Sequence, residues 1–256
     1  MNKKYDTSQD KNFDDLAHRF DKNVYESLKG KIRLAVLERD LAPYLTKSST
    51  IIDAGGGQGN FSLLHANNHK VTICDISEKM LDLARNYAEK LNTNLVDFLN
   101  CSIQDLPNNI DFEADLLLCH AVLEWMAEPQ FALEYLYRCI RPGGILSLAF
   151  FNVNSIIYKN LLKGNYYKAT SDKFTGYQGS LTPLNPLTIY DVISWCENYN
   201  FKVINYSGIR VFNDYIADKT TRNRHPEAVI ETELKFSTQE PFRSLGRYIH
   251  IVAKKS

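Results

Sequence analysis

Apolar positions along this chain change their spacing several times, and each change marks an element. Between Phe13 and Leu41 they recur at helical intervals (Phe13, Leu16, Phe20, then Leu28, Ile32, Val36, Leu37), which predicts two helices ending before Pro43. Short apolar runs then alternate with amphipathic ones. Strands are predicted over residues 50–53, 70–75, 95–100, 115–120 and 144–151, and helices over 61–67, 78–91 and 129–140, with Ser77 placed as an N-cap. This βαβ rhythm predicts an α/β fold, a doubly wound, seven-stranded, mostly parallel sheet. Gly, Asn, Ser and Pro interrupt the rhythm over 152–187. A helix over 188–199 and a strand over 202–206 resume it, a second irregular segment fills 207–246, and a strand over 247–253 closes the sheet. The chain, 1–256, reads as one domain with a helical lead-in (1–49) and two substrate-side insertions (152–187 and 207–246).

The first strand runs into IIDAGGGQGN, Ile51 to Asn60. Glycine loses much backbone freedom on folding and is favoured where φ is positive or where a ligand must touch the main chain. In an open α/β sheet this first βα turn is where a ligand sits. A dinucleotide fingerprint wants G-x-G-x-x-G, and counted from Gly55 its third glycine is replaced by Asn60, which argues against a dinucleotide. Asp75 ends the second strand at the spacing of an acid that accepts from ribose hydroxyls; it could also simply cap the turn before Ser77. Asp53 directly precedes the loop, and RPGG (Arg141 to Gly144) separates a helix from the fifth strand. The ordered set resembles the class I S-adenosylmethionine-dependent methyltransferases and implies S-adenosyl-L-methionine as cofactor.

Composition narrows the partners. With 44% apolar residues in 256 the chain can bury a sizeable core, and thirty Lys and Arg balance thirty Asp and Glu, so nucleic acid would have to be met by a local patch. Five cysteines and six histidines show neither disulfide nor metal-ligand spacing, so no metal is expected. No apolar run approaches the roughly 20 residues that span a bilayer, and MNKKYDTSQDKNFDD carries no apolar stretch behind its lysines, which predicts a cytoplasmic protein without a membrane partner. A monomer or weak dimer is expected.

The acceptor is read from what surrounds strand four. CHAVLEW stands where an Asn-Pro-Pro-Tyr-like turn would serve amine methylation. Cys119, inside LLLCH, suits a buried structural thiol better than a nucleophile. A carboxylate acceptor is already ionised at neutral pH and needs no base, which fits the lack of a catalytic dyad. No catalytic residue is therefore assigned. His120 ends strand four, where it either faces the cofactor or is a satisfied core residue, and Trp125 reads as packing. Lys159, Lys163, Lys168 and Lys173 interleave with Tyr158, Tyr166, Tyr167, Phe174 and Tyr177; Lys219, Arg222 and Arg224 form a second cluster. Such patches suit phosphates and unpaired bases, or a solvated loop. Arg210, beyond the strand ending at Tyr206, could hold a carboxylate bidentately.

Across nearly the whole chain the segments NFDDLAHRF, DAGGGQG, CHAVLEW, RPGG, GIRVFNDY and LGRYIH resemble the bacterial tRNA 5-carboxymethoxyuridine methyltransferases. The resemblance implies tRNA as partner and methyl esterification of the wobble-uridine carboxylate. It also implies cofactor contacts at Arg33, Gly55, Gly56, Asp75, Ile103, Gln104 and His120. Two other functions stay open: a carboxyl or oxygen methyltransferase of small metabolites, and a non-catalytic S-adenosylmethionine-binding module that supports an RNA contact.

Overall fold

Runs of branched and leucine residues build the seven strands of a single mixed sheet in the computed structural model, which describes residues 8–15, 27–93, 95–171, 174, 183 and 185–256. The strands are β1 (Thr50–Ala54), β2 (Lys70–Asp75), β3 (Val96–Asn100), β4 (Ala114–His120), β5 (Ile140–Phe151), β6 (Phe201–Ile209) and β7 (Tyr248–Lys255). They lie in the order β3-β2-β1-β4-β5-β7-β6. All neighbours are parallel except β7, which runs antiparallel to both β5 and β6. The chain direction of travel across the sheet reverses between β1 and β4, so the strand ends there open a crevice for a ligand.

Helices cover both faces: α1 (Leu28–Leu41), α2 (Ser62–His65), α3 (Glu78–Lys90), α4 (Ala132–Arg138), α5 (Val153–Leu162), α6 (Tyr166–Ala169), α7 (Ile189–Asn198), α8 (Lys219–Asn223) and α9 (Pro226–Phe236). Strand side chains alternate between the two faces. Ile51, Val71, Ile73, Leu116 and Leu118 pack with Val36 and Leu37 of α1 and Leu81 and Ala84 of α3. Ile52, Leu117, Leu146, Leu148, Phe150 and Ile251 pack on the other face with Leu133 and Leu136 of α4 and Val192 and Cys196 of α7. Ser77 caps α3 by accepting from the Met80 N–H at 3.2 Å, and Thr188 caps α7 in the same way through Asp191.

Several boundaries differ from the sequence reading. RPGG does not precede strand five but lies within it: Ile140 pairs with Ala114, and the register then shifts before Leu116 meets Ile145. Gly143 has φ +74° at that kink, a conformation that disfavours side chains. Strand six does not stop at Tyr206. Ser207, Gly208 and Ile209 continue it opposite His250, Ile249 and Tyr248, since cross-strand pairing overrides the weak β propensity of Ser207 and Gly208. The segments 152–187 and 207–246 are not wholly irregular, for they hold α5 and α6 and then α8 and α9. Pro226 occupies the first turn of α9, where its missing N–H removes no helix bond. The helix expected over 129–140 is a 3₁₀ turn, Pro129–Phe131, followed by α4. Of the two lead-in helices α1 is present, whereas Leu16 and Phe20 lie outside the described residues.

Behind β7 the backbone of Gly246 packs directly on that of β6. A Cβ there would sit 2.7 Å from the Gly208 Cα, 2.7 Å from the Tyr248 O and 2.8 Å from the Ile209 N, all main-chain atoms with little room to move. Gly246→Ala is expected to lower the urea unfolding free energy by about 2 kcal/mol with an unchanged slope. A loss below about 0.5 kcal/mol would contradict this close approach.

Candidate active site

The glycine loop after β1 lies flat against its neighbours. The Gly55 and Gly56 N–H groups both donate to the Cys74 carbonyl, at 2.8 and 3.0 Å. A Cβ on Gly55 would meet Val122 Cγ2 at 2.5 Å, one on Gly56 would meet Asp53 Cγ at 2.7 Å, and one on Gly59 would meet Ile73 Cδ1 at 2.5 Å. Asp75 closes the loop from β2: its Oδ2 accepts from the Gly57 N–H at 2.9 Å and its Oδ1 from the Ser77 N–H at 2.8 Å. The turn-capping reading of Asp75 thus holds, and the same carboxylate also lines the cavity beside the loop. Burial raises its pKa against those two N–H donors.

That cavity is lined by Gly55, Asp75, Ile76, Ile103, Gln104, Ala121, Val122, Trp125 and Met126, with Asp10 and Phe13 from the N-terminal segment. Ile103 is 6% exposed and offers an apolar wall, while the Gln104 amide donates to Asp10 Oδ2 at 2.9 Å. The Phe13 and Trp125 rings meet edge to face at 4.9 Å, so Trp125 does pack, and it walls the cavity as well. An apolar wall, an amide and a carboxylate beside bare backbone are the donor and acceptor set that an adenosine needs.

A second half of the site gathers beyond the loop. Asp53 is buried beneath Gly56 and accepts from Ser62 Oγ at 2.6 Å; burial pushes its pKa up to about 6. His120 ends β4 and is followed by Ala121 in the left-handed region at φ +61°, strain of the kind stored at functional sites. Its Nε2 meets Ser147 Oγ at 2.8 Å, and burial, with His250 and Arg33 nearby, holds its pKa well below the usual histidine range. Glu124 is 1% exposed, and neither carboxylate oxygen has a hydrogen-bond partner among the described residues. Burial pushes its pKa up to about 7, opposed by the nearby N–H of its own backbone and then by the Arg33 charge. Burial likewise raises the Cys119 thiol, which leaves it a core residue.

Arg33 links this half to a cationic cluster. Its guanidinium lies 5.1 Å from the Tyr248 ring centroid, and that of Arg210 lies 5.4 Å from the same ring. Arg210 follows β6 in the left-handed region, φ +60°, which turns its side chain to Asp214 Oδ2 at 3.5 Å. Arg247 Nε approaches the same oxygen at 3.8 Å and Lys29 Nζ approaches Oδ1 at 3.8 Å. Burial and then mutual repulsion depress the pKa values of Lys29 and Lys159, and burial depresses that of Arg247. One buried aspartate thus faces Lys29, Lys159, Arg210 and Arg247, a local excess of positive charge. Glu233 holds the loop from below by accepting from the N–H groups of Val211, Phe212 and Asn213 at 2.6, 3.3 and 2.8 Å.

The sequence-read residues fall into three places. Gly55, Asp75, Ile103 and Gln104 line the cavity, Gly56, Arg33 and His120 belong to the second half, and Arg210 sits in the cationic cluster. Lys168 is exposed on α6, and Lys219 and Arg222 lie on α8 with Arg224 just beyond it, Arg222 being near enough to depress Lys29. Lys173 and Tyr177 lie outside the described residues. Lys29, Glu124, Asp214, Arg247 and Tyr248 were not singled out as site residues from sequence. All but Lys29 lie within CHAVLEW, GIRVFNDY or LGRYIH, so the signal was the segment rather than the residue type. Among the described residues no cluster of metal-ligating side chains occurs and no helix is long and apolar enough to cross a membrane.

A doubly wound sheet with a glycine loop at the switch point, an acid ending β2 and a cationic cluster beyond it fits the class I S-adenosylmethionine-dependent methyltransferases. The methyltransferase domain family model matches residues 52–148. The tRNA 5-carboxymethoxyuridine methyltransferase of Escherichia coli (strain K12) is 37% identical over 253 residues, covering 96% of this chain and 97% of that protein. The chain belongs to that family. More distantly, the ubiquinone biosynthesis O-methyltransferase of Coxiella burnetii (strain RSA 493) is 26% identical over 185 residues, 70% of this chain and 73% of that one. Among solved structures, a methyltransferase-like subunit bound to the Haloferax volcanii Trm112 activator superimposes with a TM-score of 0.62 at 16% identity, covering 96% and 98% of the two chains. The [4+2]-cyclase SpnF gives 0.60 at 20% identity over 88% and 81%. Both share the fold.

Glu124 yields a pH test. A carboxyl whose folded pKa exceeds its unfolded value of 4.5 binds more protons when folded between the two. Its contribution to stability is therefore present below about pH 4.5 and lost as pH rises through about 7. In the cofactor-free protein, the unfolding free energy of Glu124→Gln minus that of wild type should rise by on the order of 2 kcal/mol from pH 5 to pH 8. A difference that stays flat across this range would contradict the burial of an unpaired carboxyl.

Proposed function

We propose that this protein methylates the carboxylate of 5-carboxymethoxyuridine at the wobble position of tRNA, in the cytoplasm, giving the methyl ester. The observation that carries the reading is the cationic cluster around Asp214, a ready-made anion site. The substrate class comes from the Escherichia coli relative, whose name specifies tRNA and 5-carboxymethoxyuridine.

Asp75, Ile103 and Gln104 would hold the adenosine, Gly55 and Gly56 would let the cofactor approach the backbone, and Arg33 would bind its methionine carboxylate. S-adenosylmethionine supplies an activated methyl whose bond to sulfur breaks as the bond to a carboxylate oxygen forms, the electron pair leaving with the sulfur. No proton moves, so the protein has only to orient the acceptor and exclude water. Arg210, supported by Arg247, Lys29 and Lys159, would fix the carboxylate and nearby phosphates, with guanidinium geometry suited to a bidentate grip. The Tyr248 ring, flanked by Arg33 and Arg210, sets the spacing between the two anion sites. Tyr166 and Tyr167, 65% and 96% exposed, stand beside Lys168 as stacking surfaces for unpaired bases. Lys219, Arg222 and Arg224 would extend the phosphate track.

Incubation with S-adenosylmethionine and tRNA either carrying or lacking the carboxymethoxy group tests the proposal. Methylation is expected only of the former, with binding that weakens steeply as salt rises. Equal turnover of both, or of neither, would contradict it. Arg210→Ala should reduce kcat/KM for tRNA by roughly 10- to 100-fold while cofactor affinity holds. Loss of cofactor binding instead would show that Arg210 serves the other half of the site.

A further inference from the structure

A row of polar side chains crosses the sheet on the face covered by α1. His120 Nε2 meets Ser147 Oγ at 2.8 Å, Ser147 Oγ meets His250 Nε2 at 2.8 Å, and His250 Nδ1 meets Asp40 Oδ2 at 2.8 Å. Asp40 is fixed in turn by Arg39, whose Nε and Nη2 donate to its Oδ1 at 2.9 and 2.7 Å. Ser147 and His250 are fully buried and Asp40 is 8% exposed. Three hydrogen-bonded polar groups buried at this depth between the sheet and α1 call for a role beyond packing.

The chemistry of the chain gives it a direction. An ionised Asp40 only accepts, so His250 Nδ1 must donate to it. With His250 neutral its Nε2 is then bare and takes the Ser147 hydroxyl proton, so Ser147 Oγ can only accept from His120. That puts the His120 proton on Nε2 and leaves Nδ1 an acceptor. If His250 takes up a proton, both its nitrogens donate, the Ser147 hydroxyl turns to His120, and the His120 proton moves to Nδ1. Among the described residues the charged and titratable groups facing His250 are Asp40 from α1, itself held by Arg39, and His120 from β4, with Ser147 of β5 and Ser207 of β6 beside the ring; Arg33 acts on His120.

The geometry points to Asp40, His250 and Ser147 as positioning residues that set which nitrogen of His120 carries its proton, and so the polarity His120 presents to the cofactor's sulfonium. This rests on the reading that His120 faces the cofactor. An acceptor nitrogen suits a cation and is indifferent to the neutral product, S-adenosylhomocysteine.

The test combines ¹⁵N NMR of the histidine rings with calorimetric binding of S-adenosylmethionine and S-adenosylhomocysteine. In wild type His120 is expected as the neutral Nε2–H form, the tautomer that the row of hydrogen bonds from Asp40 dictates. Ser147→Ala should uncouple the two rings and weaken S-adenosylmethionine about fivefold while changing S-adenosylhomocysteine less than about twofold. Asp40→Asn, checked for folding by its thermal transition, should likewise break the coupling. If His120→Ala weakens the cofactor but the His120 ring form ignores His250 and Ser147, the relay is overturned. If His120→Ala leaves both affinities unchanged, His120 does not face the cofactor, and the proposal falls with that reading.

Discussion

Everything about this site hangs on the side chains that Gly55, Gly56 and Gly59 do not have. Val122 after β4, Asp53 at the end of β1 and Ile73 in β2 all stand where a Cβ would be, at 2.5 to 2.7 Å. The loop can therefore lie flat at the point where strand order reverses, anchored by two N–H bonds to Cys74 and by the Asp75 carboxylate on Gly57. From that one constraint follow the cavity beside Gly55, with Ile103 and Gln104 on its wall, and the burial of Asp53 beneath the loop. The methyltransferase family model begins one residue before Asp53, within this strand.

The other half of the protein is organised by charge. Asp214 is outnumbered by Lys29, Lys159, Arg210 and Arg247. Like charges brought together under a low dielectric repel unless an anion joins them, so the cluster is costly alone and favourable with a carboxylate or phosphate in place. Glu233 makes the arrangement possible by holding three successive N–H groups of the loop that carries Asp214, while the left-handed φ of Arg210 aims its guanidinium inward. The Tyr248 ring lies between the guanidinium groups of Arg210 and Arg33. The proposed reaction joins an anion to a cation, and its two sites meet at one aromatic ring.

Local periodicity made much of this legible in the chain. The alternation of Ile51 and Ile52, of Leu117 and Leu118, and the capping of α3 by Ser77 are local signals, and the strands and helices they imply are present. The RPGG kink was misplaced because its pairing, Ile140 with Ala114, is a long-range fact that a turn-like tetrapeptide hides. The end of β6 was lost for the same reason, with Ser207 and Gly208 kept in the strand by β7 and not by their own preference. Arg210 was found by its type and position; Arg247, Lys29 and Asp214 were not, since nothing in their spacing shows that β6, β7 and α1 bring them to one carboxylate. The His120–Ser147–His250–Asp40 row joins residues up to 210 apart in the chain, which no motif could reveal.

The central claim is that the acceptor atom is a carboxylate oxygen, and the chemical stability of the product tests it most directly. After transfer from S-adenosylmethionine labelled in its methyl group, the tRNA is treated with mild alkali, which hydrolyses an ester but not a methyl bound to ring carbon, ring nitrogen or ribose oxygen. The account predicts that the label leaves as methanol and that 5-carboxymethoxyuridine is recovered. Label that stays on the nucleoside through this treatment would contradict it.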